Sequence, residues 1–244
     1  MKITVRPMIA EESWEYILKR HTDFHKHLKN FGYTYKTWVP KPNNEHIKAM
    51  FEKENLTDQE IAQYREFFIN NIYNVEDLKK YDEYLNSFVA PMLERGINKI
   101  LVPLLPSWGC ELPKELTILC TYGSGASYSE IKGGKATITF RMSWYPDNKQ
   151  VMLETMLHEF IHIMIEQPII RKYDVPQDLK ERIVDIIGFE LFDKVSVQER
   201  FTNSFANAYI TPDTIKTDLP GAVKKMMTDY KILQQKQMQQ GQSL

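Results

Sequence analysis

The chain is expected to fold as an α+β protein. A helical first third should lead into a small, mostly antiparallel sheet, which is followed by two long helices. Three observations point there. Apolar residues recur at helical spacing through much of residues 11–94. Between Lys99 and Met142 the texture changes to short β-branched and aromatic runs punctuated by Gly and Pro. Helical patterning then returns over Gln150–Glu166 and Gln177–Phe192. Residues 1–96 therefore form one helical region, and residues 97–244 a second unit with C-terminal helices.

Taken in order, Glu11 to Asn30 carries Trp14, Ile17, Leu18, His21, Phe24, His25 and Leu28 on a helical repeat. His21 and His25 are one turn apart, but no glutamate intervenes, and an exposed face is expected for them. Thr57-Asp58-Gln59-Glu60 is a capping box ahead of a helix over Ile61–Tyr73. A further helix spans about Val75 to Glu94, with a break where Pro91 removes a donor, and Gly96 ends the region. Ile100–Leu105 and Glu115–Tyr122 read as strands. Tyr128–Ile131 and Ala136–Met142 flank Lys132-Gly133-Gly134-Lys135, whose centre suits a hairpin turn. A helix over Glu199–Tyr209 and another from Pro220 to about Gln237 complete the chain.

The sharpest signal is His158-Glu159-Phe160-Ile161-His162, an H-E-x-x-H inside an apolar helix. Four residues are just over one turn, so both imidazoles share a face and can reach one divalent ion, for which zinc is the usual choice. Glu159 stands beside that position, where a base for an activated water belongs. A third ligand must come from elsewhere. Glu166 stands about 12 Å along the axis from His158, too far to converge with both histidines. Glu181 and Asp185 form an i,i+4 pair on the next helix, away from its stripe of Leu179, Ile183, Ile186 and Ile187. By periodicity alone they would be a solvated acidic face.

HEFIH followed by ERIVDIIG resembles the gluzincins, zinc metallopeptidases with H-E-x-x-H on one helix and E-x-x-x-D on the next. The matched positions are His158, Glu159, His162, Glu181, Asp185 and Gly188. The resemblance covers about residues 120–192 and implies a zincin-like sheet packed on the two metal-site helices. It implies zinc on His158, His162 and Glu181, with Glu159 as base and Asp185 supporting a ligand imidazole. It also suggests Tyr173, between the two helices, as the donor that stabilises the oxyanion, with Tyr209 as a second candidate. By the same analogy Gly125–Ser129 is an edge strand that holds an extended peptide. The resemblance is silent on which peptide.

Composition narrows the partners. A net charge of −1 gives no argument for nucleic acid. No apolar stretch reaches the roughly 20 residues of a membrane span. Residues 1–14 lack a long apolar run before a cleavage site, so no signal peptide is expected, and the cytoplasm is the default compartment. Cys110 and Cys120 are expected as buried thiols, although adjacent strands would let them pair. The expected function is a zinc metallopeptidase acting on a peptide or protein. The alternative is a non-catalytic peptide-binding protein on a gluzincin scaffold.

Overall fold

The computed structural model describes residues 1–40, 44–123, 125–142, 149–192 and 204–239. Its elements run β1 (Lys2–Pro7), α1 (Ala10–Lys26), α2 (Glu45–Glu52), α3 (Asp58–Asn71), α4 (Val75–Tyr84), α5 (Ala90–Gly96), α6 (Leu105–Trp108), β2 (Glu115–Tyr122), β3 (Gly125–Tyr128), β4 (Lys135–Met142), α7 (Lys149–Ile165), α8 (Gln177–Phe192), α9 (Pro212–Thr217) and α10 (Leu219–Gln239). The α+β class is as expected. Among these residues no helix is long and apolar enough to cross a membrane. Of the expected helix over Glu199–Tyr209, residues 199–203 lie outside the described residues, and Ser204–Ala208 forms a 3₁₀ turn.

Among the described residues the strands form one sheet in the order β1-β2-β4-β3. The expectation of a mostly antiparallel sheet is corrected. β1 pairs parallel with β2, β2 parallel with β4, and only β3 runs antiparallel to β4. The parallel pairs follow from the long connections: α1 to α6 intervene between β1 and β2, and β3 lies at the edge instead of between β2 and β4. β1 is a strand within the first third, where only helices are expected. It registers Lys2 on Glu115 through Pro7 on Cys120, so residues of both expected units share this sheet.

The turn of the β3–β4 hairpin forms where expected, but its first strand is Gly125–Tyr128 and not Tyr128–Ile131. Lys132 and Lys135 exchange two backbone hydrogen bonds of 2.9 and 3.0 Å across Gly133 and Gly134. Both glycines have positive φ, 57° and 76°, as a type I′ turn requires. The strand expected over Ile100–Leu105 is instead helical. A π-type turn over Ile97–Leu101 and a 3₁₀ turn over Val102–Leu104 lead into α6. Ile97, Leu101, Leu105 and Trp108 are buried there at helical spacing, and this stripe outweighs the β propensity of Ile and Val. The helix thus passes through Gly96 instead of ending there.

Pro91 and Pro168 are both accommodated by wide turns. A π-type turn at Leu85–Val89 precedes α5, and another at Glu166–Arg171 extends α7. The chain then reverses over residues 172–174, where Asp174 has φ 54°. α7 is the central helix. Met156, Leu157, Phe160, Ile161, Ile163, Met164 and Ile165 are all buried as it packs between the sheet and α8. Cys110 and Cys120 are free and buried, and burial raises the pKa of both thiols.

His21 and His25 are not on an exposed face. His21 is buried, and its Nε2 donates to Lys53 O at 2.8 Å; His25 Nε2 donates to Phe51 O at 3.0 Å. The pair closes carbonyls at the C-terminal end of α2, acceptors that a helix end otherwise leaves unmet.

Candidate metal centre

Helical periodicity in α7 puts His158 and His162 on one face, and α8 packs against it so that Glu181 and Asp185 face them. All four residues are buried. The acidic face of α8 is therefore not solvated. The two Nε2 atoms lie 3.0 Å apart, and Glu181 Oε2 is 3.3 Å from each. Among the described residues this is the cluster of His, Cys, Asp and Glu side chains with the spacing of a metal site.

The donor set fits zinc. Ligands at about 2.0–2.1 Å in a tetrahedron stand roughly 3.3 Å from one another, close to the three separations seen here. Two imidazole nitrogens in contact at 3.0 Å also need something between them, because both carry lone pairs unless one is protonated. Without an ion a proton can fill that role. Burial opposes the charge on His158, but hydrogen bonding to Asp185 and Glu181 outweighs burial and raises its pKa to about 9. Burial likewise opposes the charge on Glu181, but the two histidines hold its carboxyl well below the usual range. The carboxylates of Glu181 and Asp185 thus favour positive charge on the His158 ring.

Supporting contacts surround the cluster. Asp185 Oδ1 is 3.4 Å from His158 Nδ1. Gln177, one turn before Glu181, donates from Nε2 to Glu181 Oε1 at 2.6 Å and leaves Oε2 to the histidines. Glu166 stands in the π-type turn that follows α7. It is buried, and its Oε2 accepts from Tyr128 Oη at 2.7 Å. Burial and the Glu166 carboxylate keep the Tyr128 phenol protonated, with its pKa well above the ordinary value.

Known protein families, curated proteins and solved structures offer no match to this chain.

The cluster opens into a cleft of about 1150 Å³ whose walls come from α1, β3, α7 and α8. Glu159 lines this cleft and is half-buried. Among the described residues no hydrogen bond engages its carboxylate. Tyr173 and Tyr209 are not brought to the cleft. Tyr173 lies in the reversal after the π-type turn, where Lys172 Nζ stands 5.3 Å from its ring centroid, and it is not among the residues that line the cleft. Tyr209 donates to Asp229 at 2.9 Å and packs on Phe205. The tyrosine that packs on the His158, His162 and Glu181 cluster is Tyr128, which sequence reasoning missed. Its ring lies parallel to that of His162, with centroids 4.8 Å apart. No local pattern marks it, because strand pairing and the packing of α7 bring it there. Gln177 did carry a signal, its i,i−4 relation to Glu181.

Proposed function

We propose that this chain is a zinc-dependent metallopeptidase of the gluzincin type. One observation carries the reading: two imidazole nitrogens and one carboxylate oxygen converge within 3.3 Å of one another beside Glu159, at the wall of an open cleft. A purely structural site is normally closed by four protein ligands and has no use for that glutamate. Held by His158, His162 and Glu181, zinc would supply Lewis acidity and a water acidified to near neutral pH.

The remaining work falls to the chain's own groups. Glu159 accepts the proton of the attacking water on its carboxylate and passes it to the departing amine nitrogen as the amide C–N bond breaks. β3 supplies a template for an extended substrate. Among the described residues it is an edge strand, paired with β4 alone, and it lines the cleft. Ser129 N–H donates to Thr137 O at 2.8 Å, which sets the alternation and turns the main-chain groups of Ala126 and Tyr128 outward. Arg141 Nη2 already donates to Ala126 O at 2.8 Å, so main-chain pairing centres on Tyr128.

The test is a digest of a broad peptide library by the zinc-loaded protein, read by mass spectrometry. The wild type should cut and Glu159→Gln should not, with zinc content equal in both, because the amide keeps the shape and loses the basicity. A wild type that binds library peptides without cutting them would favour a peptide-binding scaffold. Equal cleavage by both forms would remove Glu159 from the role of base.

A further inference from the structure

We infer that Tyr128 is a positioning residue for His162, holding the orientation of its imidazole by ring stacking where a hydrogen bond would ordinarily do so. Its consequence for metal binding rests on the function proposed above. The two ligand histidines are supported differently. His158 has Asp185 beside its Nδ1. Nδ1 of His162 is buried and meets no hydrogen-bond partner among the described residues. A ligand imidazole ordinarily gives that nitrogen to a carboxylate or carbonyl, which fixes the ring plane. Without such a partner, rotation about χ2 is governed by a broad torsional well.

Tyr128 supplies the missing constraint. Its ring plane is within 7° of the His162 plane at a centroid separation of 4.8 Å, while His158 packs against the same ring edge-on at 79°. Turning the His162 ring would break the stack and carry Nε2 away from His158 and Glu181. Tyr128 is itself held at both ends. Its backbone belongs to β3, paired with Ile138, and its hydroxyl is tied to Glu166 and receives Lys180 Nζ at 3.2 Å. A ring anchored in this way can orient its neighbour, as a loose one cannot.

The experiment compares wild type, Tyr128→Phe and Tyr128→Leu as full-length chains. In the metal-free protein, NMR of the His162 ring protons, assigned by their loss in His162→Gln, reports the ring current of residue 128. In parallel, zinc affinity is measured by competition with a chelating dye. Tyr128→Phe keeps the ring and should retain the upfield-shifted signals, with zinc affinity within about twofold of wild type. Tyr128→Leu should lose the shift and weaken zinc binding roughly threefold to tenfold, the scale of an aromatic pair. Its circular dichroism should be unchanged.

Equal losses in Phe and Leu would assign the effect to the hydroxyl and overturn the stacking role. So would wild-type affinity in Leu. Should the wild type bind no zinc, the metal reading falls. The ring-current comparison then still decides whether Tyr128 orients His162, and unshifted wild-type signals would overturn it.

Discussion

Asp185 Oδ1 lies 3.4 Å from Nδ1 of His158, and both residues are buried. Asp185 is one turn past Glu181 on α8, so the helix that offers a candidate ligand atom also sets a carboxylate beside a candidate ligand ring. Asp185→Asn keeps the shape and removes the charge. Zinc affinity or turnover should fall roughly 10–100-fold, with circular dichroism unchanged. Unaltered values for both would show that the contact does not support the histidine.

The wild type should hold about one zinc per chain, and Glu181→Ala should lose most of it, since two histidines alone leave the three-ligand set incomplete. Elemental analysis after dialysis reads this directly. Full zinc in the variant would transfer the third position to another carboxylate, with the buried Asp185 as a candidate.

Stability should fall in mild acid partly through His21. Burial, with His25 4.7 Å away, lowers its folded pKa from the ordinary 6.5. The folded state therefore favours neutral imidazole. Its contribution is complete above pH 6.5 and is lost as pH falls through the lowered value. Urea unfolding at pH 7.5 and pH 5 should show a smaller acid loss in His21→Gln than in wild type. Equal losses would mean that His21 does not titrate differently on folding.

Gly96 is helical, and a Cβ there would stand 3.4 Å from Phe192 Cε1 and 3.8 Å from Leu157 Cδ2. Gly96→Ala should therefore gain about 0.5–1 kcal/mol from reduced unfolded-state freedom. Gly96→Leu should lose about 1–3 kcal/mol by overpacking. Denaturant midpoints at constant slope give both numbers, and a destabilised Ala variant would show that Phe192 cannot yield.

What the sequence determined by itself is what short-range physics encodes. The capping box closes as read, with Thr57 Oγ1 accepting from Glu60 N–H and Glu60 accepting from Thr57 N–H. α8 begins and ends at the residues its periodicity marks, and Gly133-Gly134 turns the hairpin. His158 and His162 share a face because 3.6 residues make a turn, whatever surrounds them. Tertiary structure decided the rest, because strand order and burial depend on partners distant in the chain. Lys2–Pro7 is too short to declare itself without β2, and β2 and β4 become parallel only when β3 takes the edge. Glu181 and Asp185 look like a solvated face until α8 docks on α7. His21 and His25 look exposed until α2 presents its carbonyls. Tyr128 reaches His162 from 34 residues away by the pairing of an edge strand, a placement that no pattern within either segment contains.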